Sequence, residues 1–334
     1  MDAPLTLSVL DQSPIAQGSS GAEALHNTID LARLTESLGY RRYWVAEHHA
    51  TSMLAGPAPE VLIAGIAAAT SRIRVGSGGV MLPHYSPLKV AETFSVLCGL
   101  YGDRIDLGIG RAPGTDPQTS FALQRDRRVQ AIDDFPEQLE ELTAYLDASF
   151  PEGHPLARLA LTLPGRPISP ALWLLGSSPQ SALWAGELGL PYSFADFINP
   201  AGAEIAALYR ERFVPSTRLG APQLSVAVSA ICADTDEEAE RLAASSRMAI
   251  VQLRRGRPGA VPPVEEALAF LEGVVPTEVT GARRFVVGSP SRVRAGLEEV
   301  AAEYGAGEVA VVTITYDHAA RRRSYELIAS AFGL

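Results

Sequence analysis

The chain has 334 residues, 47% of them apolar, and a formal net charge of −10. That length allows one large α/β barrel or two ordinary domains, and the acidic balance argues against a nucleic-acid or anionic-membrane partner. No apolar run approaches a membrane span, and the opening Met1-Asp2-Ala3-Pro4 lacks a signal-peptide pattern, so a cytoplasmic location is expected.

Leu5 to Asp11 alternate apolar and small polar residues and predict the first strand. Ala22 to Leu38 carries one apolar face at helical spacing, and Gly39 ends it. The second strand opens as Tyr43-Trp44-Val45-Ala46 and runs into Glu47-His48-His49. Buried parallel strands read as near-continuous apolar runs, and ligands in α/β folds sit beyond their carboxyl ends. Glu47 and His48 are therefore catalytic candidates, because His exchanges protons near neutral pH and a neighbouring carboxylate can orient its ring. A strand cap with purely local hydrogen bonds is the plain alternative.

Glu60 to Thr70 is a helix apolar almost all round, and Pro87 to Leu100 is the next helix. Together they are the expected subunit interface of a homodimer; a core position is the alternative for the first. Between them lies strand three, Ile73 to Pro83, whose glycines need a bulge or a close ligand. Strand four, Arg104 to Arg111, repeats the pattern of small residues followed by a polar end. Residues 115–170 read as an insertion. Within it a long helix is predicted over Asp126 to Leu146, restarted or kinked at Pro136.

Strand five, Leu172 to Pro179, runs into a helix that Ser177 or Ser178 would cap, with Pro179 in the first turn. Strand six is Pro191 to Phe197, strand seven Gln223 to Ala233 and strand eight Glu308 to Thr313, each followed by a helix. Residues 251–285, rich in Arg, Gly and Pro, are the expected mobile lid. Cys98 and Cys232 are far apart in sequence and suit buried free thiols in a reducing compartment.

Eight strands alternating with helices predict an α/β fold, a single (β/α)8 barrel over residues 1–334 with insertions after strands four and seven. A doubly wound sheet would usually carry a Gly-rich first turn, whereas strand one ends in Asp11-Gln12-Ser13-Pro14. A barrel brings Glu47, His48, His49, Gly78, Gly79, Arg111, Ser177 and Ser178 to one mouth. The helix start at Ser177 and Ser178 offers free N–H donors to an anion, and Arg111 could grip a phosphate. The glycines leave room for a flat ligand. A planar, phosphorylated ligand fits this set. A cap for the serines and a salt bridge for Arg111 are the plain alternatives.

Four segments carry a resemblance: Trp44 to His49, Ile73 to Pro83, Arg104 to Arg111, and Leu174 to Leu190. In order and spacing the chain resembles the bacterial luciferase-like, flavin-dependent monooxygenases, most nearly the actinobacterial subgroup with aromatic polyketide (mensacarcin-type) tailoring enzymes. The resemblance implies reduced FMN at the mouth, dioxygen as co-substrate, and a separate NAD(P)H-dependent flavin reductase. It places Glu47 beside the flavin ring and His48 as catalytic base. It implies a cis peptide at Gly78-Gly79 against the ring. It sets Arg111, Ser177, Ser178 and Arg125 on the phosphate side, with Arg128 competing with Arg125.

Two departures matter. Gly176 stands where luciferase has an acidic residue, and Gly110 precedes Arg111 where no reactive thiol is matched. Light emission is therefore not implied. The alternatives are F420-dependent hydride transfer, a non-catalytic flavin-binding protein, and a metal-dependent hydrolase using His48 and His49. The last requires a bent strand end, since neighbours on a strand face opposite sides. No metal is expected. His84 and Tyr85 are pocket-facing candidates, or else part of a solvated loop.

Overall fold

Successive strand residues point to opposite faces, so a closed barrel takes every second side chain inside. The computed structural model describes residues 5–112, 115–128, 133–275, 278 and 283–334. Its barrel strands are β1 (Thr6–Asp11), β2 (Arg42–Val45), β3 (Arg74–Met81), β4 (Ile105–Gly110), β5 (Ala171–Gly176), β6 (Tyr192–Ala195), β7 (Leu224–Cys232) and β9 (Glu308–Val312). They pair in parallel in that order, and β9 closes on β1. This is the expected (β/α)8 barrel. A short further strand, β8 (Val286–Gly288), pairs with the end of β7. The sequence reading had not separated those three residues from the end of the lid and the start of the next helix.

The helices are α1 (Gly21–Leu38), α2 (Pro59–Ala69), α3 (Pro87–Tyr101), α4 (Pro117–Leu123), α5 (Phe135–Asp147), α6 (Ala157–Ala160), α7 (Pro179–Glu187), α8 (Ala203–Glu211), α9 (Asp236–Arg254), α10 (Val264–Leu271), α11 (Pro290–Tyr304) and α12 (His318–Phe332). Helix α1 starts where Ser20 accepts the Glu23 N–H and ends at Gly39, whose φ of 94° suits glycine. In the predicted 126–146 helix, Pro136 lies in the first turn of α5 and so marks a start. Residues 129–132 of that span lie outside the described residues.

The region expected as a lid is only partly loop. Helix α9 runs on to Arg254 and α10 fills part of the remainder. Buried Val261 accepts the Gln17 N–H and donates to the Ile15 carbonyl, each at 2.8 Å. Residues 276, 277 and 279–282 of the lid lie outside the described residues.

The period-two phase sorts the barrel interior into layers. Ser8, Arg42, Arg74, Asp106 and Glu308 make a charged floor. Asp106 accepts from Arg42 Nη1 at 2.8 Å, Arg74 Nε at 2.8 Å and Trp44 Nε1 at 2.9 Å. Glu308 accepts from Arg42 Nε at 2.8 Å and from the Ser8 hydroxyl. Above it Leu10, Trp44, Trp173, Ala227 and Ala310 pack as an apolar plug, the two indoles edge to face at 5.2 Å. The larger core lies between the strands and the outer helices.

Strands β3 and β4 make room for the tryptophans by carrying glycine inside. A Cβ on Gly79 would stand 2.6 Å from the Gly108 carbonyl oxygen, and one on Gly78 would meet Leu10 and Trp44. The β3–β4 register shifts between Ser77 and Val80, so of the two expectations for these glycines, the bulge is present.

Removing one partner from a buried ion cluster leaves uncompensated charge. Asp106→Ala is therefore expected to lower the unfolding free energy by about 3–5 kcal/mol in urea titrations. A loss under about 1 kcal/mol would show that the floor does not depend on it.

Candidate active site at the barrel mouth

The inward phase of β2 runs Arg42, Trp44, Ala46, and the next member is His48. The chain continues past the paired residues of β2 without losing this alternation. His48 lines a mouth cavity of about 450 Å³, and Glu47 does not. Other walls of that cavity follow the same rule: Gln12 beyond β1, Phe197 beyond β6, Ser229 on β7, and Ile314 beyond β9.

Glu47 turns the other way and is fully buried. Its Oε2 accepts the Met81 N–H at 3.0 Å, and its Oε1 accepts the Tyr85 hydroxyl at 2.8 Å. His49 Nε2 also lies 2.8 Å from Oε1. A carboxylate held by three donors is fixed in place and closed to other partners. Both histidines line the cavity, but His49 is held to Glu47 while His48 is not. Tyr85, for which a solvated loop had been the alternative, belongs to this cluster. Burial and the adjacent Glu47 push its phenol well above the usual range.

His48 Nδ1 is buried with no hydrogen-bond partner. Burial, and then the charge of His49, pull its pKa down from 6.5 to about 4. His48 is thus a neutral ring at pH 7, with one nitrogen free to accept or hold a proton.

The phosphate-side candidates stand elsewhere. The Arg111 guanidinium lies 5.4 Å over the Trp184 ring of α7 and pairs with Asp133 at 2.5 Å. Arg125 pairs with the next residue, Asp134, at 2.7 Å. Both arginines therefore meet the start of α5, whose Phe135 packs on Trp184 at 5.1 Å. Arg128 pairs with its near neighbour Asp126 and is 88% exposed, so it does not join them.

Ser178 caps α7 in a reciprocal box with Ser181, and the Ser177 carbonyl accepts from Asn199 Nδ2 at 3.1 Å. The cap is thus a real role for Ser178. Pro179 at the first position supplies no N–H, which leaves this helix start fewer free donors than expected. Arg111, Ser177 and Ser178 are not among the cavity walls. The Gly78-Gly79 peptide is cis, as the resemblance implies.

Sequence reasoning missed Arg283, Phe197 and Ser229 on the cavity wall. Strand phase would have found the last two. Arg283 gives no local signal.

The fold is a barrel with a cavity at its mouth, and comparison with known proteins gives the class: the chain belongs to the luciferase-like monooxygenase family, whose sequence model matches residues 5–308. It is 42% identical to the luciferase-like monooxygenase of Escherichia coli K12 over 98% of this chain and 96% of that one. It is 38% identical to the N-acetyl-S-alkylcysteine monooxygenase of Bacillus subtilis 168 over 98% of each. The crystal structure of apo-MsnO8 superposes with a TM-score of 0.90 at 46% identity, covering 99% of this chain and 98% of that one. The fold alone is shared with two more distant structures. One is an FMN complex of the oxygenating constituent of 3,6-diketocamphane monooxygenase from Pseudomonas putida (24% identity, TM-score 0.72, covering 98% and 97%). The other is an F420-dependent secondary alcohol dehydrogenase (13% identity, TM-score 0.64, covering 99% of each).

With its folded pKa below 6.5, His48 contributes stability that is complete above that pH and is lost as pH falls toward 4. Between pH 7 and pH 5 the wild type is expected to lose up to about 2 kcal/mol more unfolding free energy than His48→Gln. Parallel profiles would count against a neutral His48.

Proposed function

We propose that the protein is the oxygenating component of a two-component flavin-dependent monooxygenase. It takes reduced FMN from a separate NAD(P)H-dependent flavin reductase and oxidises an organic substrate with dioxygen. The observation that carries this reading is His48, a half-buried neutral ring with a buried, unpartnered nitrogen on a largely apolar mouth cavity in a chain of this family.

The residues present fit a flavin. Above the charged floor the inward positions on β3 and β4 are glycine, so the upper part of those walls projects no side chain. Arg111 and Arg125 each hold one aspartate, and Asp133 is exposed enough to be exchanged for a phosphate. In this reading Arg111, Arg125, Ser177 and Ser178 hold the phosphate and Gly78 and Gly79 lie against the ring system, while Glu47, enclosed behind them, braces that side of the site through Met81 and Tyr85. When bound, reduced FMN supplies the electrons that let dioxygen oxidise the substrate.

The chain's own residues then do three things. Met53, Leu54, Phe197 and Ile314 keep water from the cavity. Tyr85 and His49 fix the Glu47 carboxyl group. His48 accepts or returns a proton at Nδ1. A polyketide intermediate of secondary metabolism, on a route to an antibiotic, is the substrate class the sequence resemblance supports. The name of the Bacillus subtilis relative adds thioether acids as a second class.

The test is anaerobic titration with reduced FMN, then mixing with air-saturated buffer. Arg111→Ala is expected to weaken FMN binding about tenfold or more, the size of a lost charge-assisted contact. His48→Ala should keep binding but change the rate of flavin reoxidation. Reduced FMN that reoxidises with the wild type as it does in buffer would sink the reading. Tight binding of reduced F420 instead would favour hydride transfer, and FMN binding without any effect on reoxidation would favour a non-catalytic binder.

A homodimer through α2 and α3 belongs to the same proposal. Val61 and Leu100 on these helices are 69% and 66% exposed, beside half-buried Ala64 and exposed Ala68. An uncovered apolar face of this kind marks an association surface. Ala68→Arg is expected to halve the mass seen by light scattering, and an unchanged mass would count against this face.

A further inference from the structure

Arg283 lines the same cavity as His48, half-buried and just ahead of β8. Among the described residues no carboxylate pairs with it. The acids that meet the arginines next to it in sequence or charge are already committed. Glu278 accepts from Arg255 at 2.6 Å, and its carbonyl accepts from Arg254. Glu303 and Asp196 both face Arg284. Asp116, an acid on the cavity wall itself, accepts the Gln118 and Thr119 N–H groups and caps α4.

A guanidinium keeps its proton at any ordinary pH, so a half-buried one calls for an anion. Here burial, and next the charge of Arg254, both disfavour the charged form. Asp116 is the one acid among the described residues of the wall, and its carboxylate is taken up by the start of α4. Met53, Phe197, Ile198, Ile250 and Ile314 make the rest of the cavity mostly apolar. The phosphate-side candidates Arg111, Ser177 and Ser178 are not part of this wall, so a flavin phosphate held there would leave Arg283 unpaired.

We propose that Arg283 is the substrate's anion subsite, and that the substrate is an organic carboxylate with an apolar body. The two guanidinium N–H groups of one edge grip the carboxylate, and the apolar body fills the remainder of the cavity with His48. This rests on the monooxygenase reading, since it assigns the mouth cavity to the substrate. It narrows that reading to acids and makes Arg283 a specificity-determining residue.

The test uses a matched pair of probes, 4-phenylbutanoate and 4-phenylbutanamide, which have the same shape and differ in charge. Each is titrated calorimetrically into the protein with FMN present. The wild type is expected to bind the acid about tenfold or more tighter than the amide. Arg283→Gln should erase that preference while leaving the amide and FMN affinities unchanged. Arg283→Lys should restore part of it, because it returns the charge without the fork. Equal affinities in the wild type, no detectable binding of the acid, or a preference that survives Arg283→Gln would overturn the proposal. Loss of FMN affinity in Arg283→Gln would also overturn it, by assigning the residue to the cofactor. A wild type that ignores FMN yet prefers the acid through Arg283 would support the subsite while sinking the flavin reading, so the two failures are told apart.

Discussion

Arg42 in the barrel floor reaches Asp106 with one nitrogen and Glu308 with another. It ties β2 to β4 and β9 across the interior, and Arg74 adds β3 through the same Asp106. Buried charges are tolerated only in good geometry with all partners present. The cluster therefore admits one relative height for these strands. Since a slip of one residue would turn every side chain to the other face, this height decides what stands at the mouth. Trp44 is two residues above Arg42 and donates into the same Asp106, which seats the plug on the floor. His48 is six residues above Arg42, on the same side.

The same alternation gives two adjacent residues opposite duties. His48 follows the interior phase and meets the cavity. Glu47 follows the exterior phase and is enclosed by Tyr85, His49 and the Met81 amide. The enclosure draws on the loop after β3, so the carboxyl group braces the segment that leaves the bulge at Gly78 and Gly79. One side chain is left able to handle a proton, and its neighbour is fully engaged.

Much of this was legible in the sequence. Eight strands, their order and the Glu47-His48 pair follow from apolar runs, punctuation by Gly and Pro, and alternation. The segments Trp44 to His49 and Arg104 to Arg111 carried the family. What was not legible depended on contacts between distant residues. Three residues, Val286 to Gly288, are too short a run to announce a strand, and β8 exists because the end of β7 extends beyond the barrel and offers a free edge. Within the expected lid, Val261 bonds through its backbone to Ile15 and Gln17, and partners so far back in the chain leave no local signal. Which aspartate each arginine meets was not legible either: Arg125 reaches Asp134, and Arg128 its near neighbour Asp126. Arg283 stands beside Arg284 in an arginine-rich chain, and only the lack of a carboxylate partner among the described residues distinguishes it.

The wall of the mouth beside β1 is tied together through main chain. Ile15 N–H meets the Met53 carbonyl at 2.8 Å, Ala55 N–H meets the Ser13 carbonyl at 2.9 Å, and Val261 joins the same strip through Ile15 and Gln17. Met53 and Leu54 project from this strip into the cavity. A scaffold held by peptide groups makes few demands on the identity of the side chains it displays. Those side chains are therefore free to drift during evolution while the opening keeps its outline. A family built this way can acquire new substrates by exchanging a few residues along one rim, with no renegotiation of the barrel beneath.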